Sequence, residues 1–301
     1  MSKPARIYNI YFSPTKTTKK VVSILASAAV NAAASSPQIF DYDFTTPSAR
    51  ESFPVLNSDD LIIFGMPTYA GRLPNLIVPY LKDYVKGNNA LAVPVVTFGN
   101  RAFDNSLIEL RDILQEKGFR TVAAAACACE HSFSETLGGG RPDEADAQEI
   151  SEFAKRVAEI LEGLEGLADS EVENSELEET GYDRSGSKIC VSVPGIDAQH
   201  NYGGYYQPQD RHGKPIDIRK VKPLTDKDKC GQCGFCAEIC PMGAIDRNDA
   251  SLVPGKCIKC GACTKLCPSK AKYYDDAGYL YHKSELEEVY ARRASNQFFT
   301  I

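Results

Sequence analysis

The chain has 301 residues, of which 43% are hydrophobic and 25% are charged, and its formal net charge at pH 7 is -6. This length allows two compact domains, and the composition is that of an ordinary soluble globular protein. No apolar run approaches the roughly 18 residues that a membrane helix needs, and no signal peptide precedes Arg6. We therefore expect a cytoplasmic protein that does not bind a membrane.

The negative charge comes from one segment. Ten of the 40 acidic residues lie between Arg156 and Arg184, where there is no Lys or Arg, so the other 30 acidic residues nearly balance the 34 basic ones. No basic stripe is interleaved with aromatic residues, which predicts no binding to nucleic acid. We interpret the acidic segment as the exposed end of a helix that continues into a solvated linker, with a docking surface for a basic partner as the alternative.

The first 165 residues alternate strand and helix patterns. Short apolar runs predict five strands, at residues 7–11, 38–42, 61–65, 92–98 and 121–129. Helical periodicity predicts four helices, at residues 17–34, 75–86, 104–117 and 143–164. Residues 45–57 lack helical periodicity, so we expect an irregular crossover there. Five strands in about 165 residues favour a flavodoxin-like, doubly wound parallel α/β sheet with strand order 2-1-3-4-5.

The remaining chain divides into three parts. Residues 166–222 show no lasting periodicity and are first acidic, then rich in Gly, Pro and Tyr. An unstructured tether rarely carries so many tyrosines, so we expect this linker to lie on the surface of one domain or both. A cysteine-rich domain over 223–275 and a C-terminal tail over 276–301 follow it.

Eight of the eleven cysteines form an internal repeat. Without an export signal, such a cluster indicates metal binding rather than disulfides. Three pairs of other residues are separated by the same 27 positions as the two cysteine runs: Lys229 and Lys256, Gly234 and Gly261, and Ala244 and Ala271. The cysteine runs are Cys230, Cys233, Cys236 and Cys240 with Pro241 and, 27 residues later, Cys257, Cys260, Cys263 and Cys267 with Pro268.

This spacing suits 4Fe-4S cubes, each of which needs four thiolates. In the bacterial C-x2-C-x2-C-x3-C-P run, the fourth cysteine ligates the other cluster. Zinc is the alternative, but it leaves the third cysteine and the repeated Cys-Pro unexplained. Residues 225–275 resemble a two-cluster bacterial-type ferredoxin, a small α+β domain. The crossed ligand sets are Cys230, Cys233, Cys236 and Cys267 for the first cluster, and Cys257, Cys260, Cys263 and Cys240 for the second. We assign no role to Cys127, Cys129 and Cys190.

The loop after the first predicted strand carries four hydroxyls at residues 13–18, where a helix begins. Backbone N–H groups and the positive helix end favour a phosphate there, although a simple helix N-cap is the alternative. The P-loop glycines and the dinucleotide fingerprint are absent. The loop resembles the flavodoxin signature Ser/Thr-x-Thr-Gly-x-Thr, with Lys16 in place of glycine. The resemblance implies that the phosphate of FMN is bound by Ser13, Thr15, Lys16, Thr17 and Thr18.

Two more loops follow the third and fourth predicted strands, and each combines a glycine with an aromatic residue. Open α/β sheets bind ligands beyond these strand ends. Both loops resemble those that flank the flavin ring in flavodoxin-like proteins, which implies stacking by Tyr69 and Phe103, with Gly71 beside the redox-active nitrogen. Simple packing of the two aromatic rings is the alternative. The predicted contacts are Pro67, Thr68, Tyr69, Ala70, Gly71, Phe98, Gly99, Asn100, Arg101 and Phe103.

A fourth loop, after the fifth predicted strand, contains His131-Ser132-Phe133-Ser134 and Gly140-Arg141-Pro142-Asp143. With this loop added, residues 6–275 resemble the ferredoxins of anaerobes that carry an N-terminal flavodoxin domain. The resemblance implies FMN and two 4Fe-4S clusters. His131 is a candidate proton or hydrogen-bond donor near the flavin, with a purely structural histidine as the alternative. Arg141 is a candidate for the domain interface.

The combined motifs predict an electron-transfer flavoprotein, since clusters pass single electrons and a flavin handles one or two. One hypothesis is a reductase of a small-molecule acceptor. The alternative is a non-enzymatic carrier or redox sensor that exchanges electrons only with a protein partner, and a homodimer stays open. A closed polar pocket above the flavin would favour the reductase, whereas an exposed flavin edge would favour the carrier.

Overall fold

The computed structural model describes residue 4 and residues 6–33, 36–169 and 202–300. Its first part is a parallel sheet. The strands are β1 (Arg6–Tyr11), β2 (Gln38–Asp43), β3 (Asp60–Pro67), β4 (Leu91–Phe98), β5 (Arg120–Thr121) and β6 (Ala123–Ala128). The helices are α1 (Thr17–Ala32), α2 (Val78–Tyr84), α3 (Ser106–Glu116) and α4 (Glu144–Asp169).

The strand order β2-β1-β3-β4-β6 is parallel throughout, which confirms the predicted order 2-1-3-4-5. Its fifth strand is split, because β5 and β6 both pair with β4 and are separated by Val122. The crossover after β2 contains only a short 3-10 helix, Ser48–Arg50, as its lack of periodicity predicts. Within the described residues, no helix combines the length and apolarity that a membrane span requires.

Each face of the sheet has its own hydrophobic core. Successive strand residues point to opposite faces, so Ile62 and Phe64 of β3 join the core beneath α2 and α3. Leu61 and Ile63 join the core beneath α1 and α4. The doubly covered sheet therefore leaves only its strand ends and its edges free for other contacts.

The cysteine-rich part contains two short strands, β7 (Leu224–Thr225) and β8 (Lys272–Tyr273), which pair antiparallel. Between them lie two single-turn helices, α5 (Phe235–Glu238) and α6 (Ala262–Lys265). The backbone repeats as the sequence does, because three pairs of positive φ angles lie 27 residues apart. They are Gln232 and Lys259, Gly234 and Gly261, and Gly243 and Lys270.

The C-terminal segment differs from the tail that the sequence suggests. It forms helix α7 (Ala277–Val289) and strand β9 (Gln297–Thr300), and β9 pairs antiparallel with β6 at the edge of the first sheet. The β6 strand carries only Ala and Cys, so it leaves space on both faces. Phe298 packs on Phe153 on one face, with ring centroids 4.8 Å apart, and Phe299 packs against the core on the other. The chain thus returns to its first domain.

Helix α4 runs to Asp169 and includes the start of the acidic segment. The rest of that segment, with Tyr182, and the residues that follow it, with Cys190 and His200, lie outside the described residues.

Candidate functional site

The loop between β1 and α1 keeps the turn that a glycine would make. Lys16 has φ 68°, a left-handed conformation that L-residues seldom adopt. The Ser13 hydroxyl accepts a hydrogen bond from the Lys19 amide at 2.9 Å, which closes the loop over the start of the helix. Helix α1 begins at Thr17, so the remaining N–H groups of its first turn lack helical partners and face the loop. This arrangement suits an anion.

The first and second loops meet at the end of β4. The hydroxyls of Thr18 and Thr97 lie 2.8 Å apart, and the Thr68 amide donates to the Thr97 carbonyl at 2.7 Å. Thr18 is buried, and its hydroxyl is engaged in this hydrogen bond. Thr97, which the sequence did not single out, therefore joins the two loops.

The second loop is a tight turn. Tyr69 and Arg72 exchange two backbone hydrogen bonds, of 2.8 and 3.1 Å, across Ala70 and Gly71, which have φ 49° and 79°. A Cβ atom at Gly71 would lie 2.4 Å from the Asp104 carboxylate. Only glycine allows this approach, which packs the third loop against the turn. Two of the predicted flavin-flanking loops thus lie side by side.

Most of the third loop has structural contacts. Phe98 and Phe103 are buried in the core beneath α2 and α3, with ring centroids 5.6 Å apart. Phe103 therefore packs in the core, as the alternative to flavin stacking expects. A Cβ atom at Gly99 would lie 2.2 Å from the His131 ring, so this glycine lets the fourth loop approach the third. Of this loop's predicted contacts, Arg101 faces a cavity.

Asn100 holds the C-terminal segment. Its Nδ2 donates to the carbonyls of Tyr290 and Arg292 at 2.8 and 2.6 Å, and its Oδ1 accepts from the Ala294 amide at 3.1 Å. Arg141 donates to the Ala294 carbonyl at 2.7 Å and forms a buried ion pair with Asp146. Both side chains therefore join the first domain to the segment that follows α7, a role that the sequence indicated only for Arg141.

His131 is a neutral imidazole. Its Nδ1 accepts a hydrogen bond from the Phe133 amide at 3.0 Å, which places the ring proton on Nε2. Burial, with the positive charge of Lys265 nearby, lowers the pKa of His131 to about 3. At neutral pH this side chain can donate a hydrogen bond but does not carry an acidic imidazolium proton.

The second cysteine run lies against the fourth loop. A Cβ atom at Gly261 would lie 2.4 Å from the Ser132 carbonyl oxygen. Nearby, Lys265 forms an ion pair with Glu130 and donates to the Ser134 carbonyl at 2.6 Å. The cysteine-rich domain therefore docks on the strand-end loops of the sheet.

The thiols separate into two groups. Burial raises the pKa of Cys260, and the thiols of Cys263, Cys257 and Cys240 raise it further. Burial likewise raises the pKa of Cys236, with added effects of Cys267 and Cys230. The amides of Ala244 and Ala271 donate to the Sγ atoms of Cys240 and Cys267 at 3.3 and 3.4 Å. No three His, Cys, Asp or Glu side chains of the described residues surround a single metal-ion position. A cube differs because its thiolates bind separate irons.

Tyr69 connects the thiol group around Cys260 to the second loop. Burial raises its pKa well above the ordinary value, and the nearby thiols of Cys260 and Cys257 raise it further. Cys260 is buried, whereas Cys233, at the equivalent position of the first run, is exposed. The thiol group around Cys260 thus lies beside the predicted flavin loops, while Cys233 of the first run is exposed.

Residues 202–222, here called the strap, lie on both domains. The Tyr206 amide donates to the Ala70 carbonyl at 2.8 Å, and the Tyr205 hydroxyl donates to the Leu73 carbonyl at 2.8 Å. At its other end, Lys222 Nζ donates to the Val253 carbonyl at 2.6 Å. This part of the linker therefore lies on the surface of both domains, as expected.

A cavity of about 1210 Å³ lies beneath the strap. Its walls come from the second to fourth loops, the second cysteine run and α7. Residues 13–18 do not line it. The sequence did not indicate three of its residues, Tyr206, Lys259 and His282, because only the docking of the strap, the second cysteine run and α7 brings them there. The cavity is also lined by Tyr69, Arg101 and His131.

Two other cysteines lie away from the site. Cys127 and Cys129 are buried in the core beneath α1 and α4. Burial raises the pKa of both thiols well above the ordinary value, so they act as small apolar side chains.

Comparison with known proteins identifies the cysteine-rich part. Residues 229–271 match the family model of the 4Fe-4S dicluster domain, which supports iron–sulfur binding over zinc. No curated protein matches the chain.

Solved structures match the first part of the chain. A flavodoxin from the domain Archaea is 12% identical, covers 52% of this chain and 99% of its own, and has a TM-score of 0.35. Oxidised flavodoxin 2 from Bacillus cereus is 16% identical over 52% of this chain and 99% of its own, with a TM-score of 0.38. Rubredoxin oxygen:oxidoreductase from Desulfovibrio gigas is 19% identical over 54% of this chain and 37% of its own, also with a TM-score of 0.38. The strand order itself establishes the flavodoxin-like fold.

Proposed function

We propose that the chain is an iron–sulfur flavoprotein that passes electrons through two 4Fe-4S clusters to FMN and reduces a small-molecule acceptor. The observation that carries this proposal is the position of the Cys257–Cys260–Cys263–Cys240 group beside Tyr69 and the cavity. The dicluster family match supports iron–sulfur chemistry at these cysteines.

The proposed electron path has a direction. Cys233 is exposed, so the first cluster is the site where an external donor, such as a redox protein, delivers electrons. Cys260 is buried and lies near Tyr69 of the first domain, so the second cluster is the site from which electrons leave. The repeat thus supplies an entry cluster and an exit cluster in one small domain.

The strand-end loops fit FMN in two parts. The first-turn amides of α1, together with Lys16 and Lys19, suit the phosphate. The turn at Tyr69–Gly71 and the cavity beside it suit the ring. The contacts proposed for Thr18, Asn100 and Phe103 have no such support, since these side chains are engaged elsewhere. When bound, FMN would take up single electrons and deliver them singly or in pairs.

The partly enclosed cavity beside Tyr69 supports a small acceptor over transfer to a protein at the flavin. The strap closes over the second loop through the Tyr206–Ala70 hydrogen bond. Polar side chains line the space, among them Arg101 and His131. His131, being neutral, would orient an acceptor through its Nε2–H, and Arg101 would supply positive charge.

Anaerobic reconstitution tests this function. The purified chain is loaded with iron, sulfide and FMN, then reduced in steps while cluster EPR and flavin absorbance are recorded together. We expect both cluster signals, with flavin bleaching that follows cluster reduction. Clusters that reduce while bound flavin stays oxidised, or a protein that retains no flavin, would contradict the proposal.

The Lys16→Gly variant tests the phosphate loop separately. It keeps the left-handed turn and removes one cation, so it should bind FMN more weakly, which a flavin titration measures.

A further inference from the structure

The size of the cavity leaves room for more than a flavin ring. Its volume of about 1210 Å³ exceeds the roughly 300 to 1,000 Å³ of a typical small-molecule pocket. The Tyr69 turn lies at one wall, while the strap and the Cys257–Lys259 loop form others. A second molecule therefore has space beside a ring held at Tyr69.

The charge of the walls is strongly one-sided. Among the described lining residues, Asp217 is the one acid, and it is already paired with Arg219 at 2.8 Å. The basic lining residues are Arg101, Arg219, Lys220, Lys222, Lys256 and Lys259. The two arginines pair with Asp104 and Asp217, so the excess positive charge comes from the four lysines. Since opposite charges attract more strongly in a partly enclosed space, these walls favour an anion.

Lys259 has donor capacity left for a ligand. The side chain is half-buried, and its Nζ donates to the carbonyls of Arg219 and Cys257 at 3.2 Å each. A lysine ammonium has three donors, so one N–H remains. The carboxylate of Asp217 acts on this ammonium from nearby, but it is paired with Arg219.

His282 provides an independent sign of a ligand. It is 4% exposed and lines the cavity, yet its Nδ1 has no hydrogen-bond partner among the described residues. The nearest carboxylate oxygen, of Glu285, lies 3.9 Å away. A buried polar atom without a partner is costly, which makes a bound polar group a natural partner for it.

The remaining walls are apolar and aromatic. Tyr206 stacks on His282 with ring centroids 5.9 Å apart, and Phe133 and Leu286 also line the space. Such walls favour a flat organic body over a small inorganic ion.

We propose that the cavity binds an organic anion with a planar apolar body, its negative group held by Lys220, Lys222 and Lys259 and its reducible end directed to His131 and His282. This inference deepens the proposed function and rests on it, because the anion is the acceptor of that reaction. It names the class of acceptor that the sequence left open.

Two matched acceptors test the charge preference. The probes are para-nitrobenzoate and para-nitrobenzamide, which have similar shapes and differ in charge. Each nitro group takes up two electrons and two protons to give the nitroso compound and water, with the electrons supplied by the reduced protein. Binding to the oxidised holoprotein is measured by calorimetry, and kcat and KM are then measured anaerobically. We expect the anion to bind about tenfold more tightly than the amide.

Charge variants locate the effect. The double variant Lys220→Gln, Lys259→Gln should remove the preference for the anion, so that its affinity falls to that of the amide for the same variant. The control Lys214→Gln, Lys227→Gln removes the same charge from exposed positions outside the cavity and should keep the preference. Should the double variant fold poorly, Lys220→Gln alone is tested. If the lysines only offset the charge of the cluster, the double variant would change the cluster potential and leave both KM values as they were.

The outcomes separate this inference from the function. Selective binding of the anion without its reduction would overturn the proposed function and support the cavity assignment. Reduction of both acceptors with equal KM would overturn the cavity assignment and support the function. Equal loss of anion binding in both double variants would show a long-range charge effect and would also overturn the assignment.

Discussion

The two copies of the cysteine repeat have the same backbone and different surroundings. Gly234 and Gly261 have φ 72° and 76°, and each precedes a single-turn helix. A Cβ atom at Gly234 would meet no described atom within 4 Å, whereas one at Gly261 would lie 2.4 Å from the Ser132 carbonyl oxygen. The repeat therefore gives both copies the same cysteine framework, and the packing around each copy decides what that copy contacts.

The same contrast holds for charge. Lys265 in the second copy pairs with Glu130 of the first domain, while its counterpart in the first copy, Glu238, is exposed. A duplicated motif has thus been adapted at one copy for docking, with the other left open to solvent. Pairs of equivalent residues, changed one at a time, separate ligand binding from docking.

The largest expected difference is between Cys260→Ala and Cys233→Ala. The first should remove the exit cluster and abolish cluster-driven flavin reduction, because the thiol group beside Tyr69 is lost. The second should remove the entry cluster and keep most of the flavin reduction by a small diffusible reductant, which can reach the remaining cluster. Iron content, cluster EPR and stopped-flow flavin absorbance measure this. Equal loss of flavin reduction in both variants would contradict the assigned order of the clusters.

The glycine pair should show a smaller difference, in stability. Alanine at either position carries the left-handed strain of about 1 to 2 kcal/mol. Gly261→Ala adds the clash with Ser132, about 1 to 3 kcal/mol for an overpacked site. Denaturation of the anaerobic holoprotein should therefore show a larger loss of unfolding free energy for Gly261→Ala than for Gly234→Ala. Equal losses would mean that the second copy is not packed against the fourth loop.

The lysine position tests docking alone. Lys265→Met removes a partly buried ion pair and a hydrogen bond to the Ser134 carbonyl, which should cost about 1 to 3 kcal/mol. Glu238→Gln, at the equivalent exposed position, should change stability by less than about 0.5 kcal/mol. Both variants should keep full iron content, since neither residue is a ligand. Loss of iron in Lys265→Met would mean that this residue supports the cluster and not only the interface.

Much of this architecture follows from the sequence, because it depends on local patterns. The buried strands β3 and β4 are continuous apolar runs, and the cysteine spacing itself specifies the ligand cage. The Lys16 turn is also local, since the helix start and the Ser13 hydrogen bond impose the left-handed conformation.

The rest depends on contacts between distant residues. The four residues of β9 become a strand only because the Ala-rich β6 leaves an edge to fill. The local sequence predicts that Asn100 contacts the flavin. In the fold, its side-chain amide donates to backbone carbonyls of the C-terminal segment, which lies nearly 200 positions further along the chain. His282 shows no metal or catalytic spacing, and only the docking of α7 places it in the cavity.

The smallest expected effect is a pH dependence confined to the docked side. Burial lowers the pKa of His131 to about 3 and that of His282 to about 4, from an ordinary value of 6.5. Well above pH 6.5 neither histidine affects stability, because both are then neutral in the folded and unfolded states. As the pH falls below 6.5 the unfolded chain takes up protons that the folded chain does not, so stability decreases. Between pH 7 and pH 6 the loss is about 0.7 kcal/mol for each histidine.

Thermal unfolding of the anaerobic holoprotein at several pH values measures this slope, and His282→Gln should remove its own share. The matched control is His212→Gln, because His212 is exposed and lies outside the cavity. Its removal should leave the slope as it is in the unmodified protein. If His282→Gln also leaves the slope unchanged, then His282 titrates freely in the folded protein. That result would contradict the burial of His282 beside the docked second copy of the cysteine repeat. It would also weaken the contrast between this docked copy and the exposed first copy.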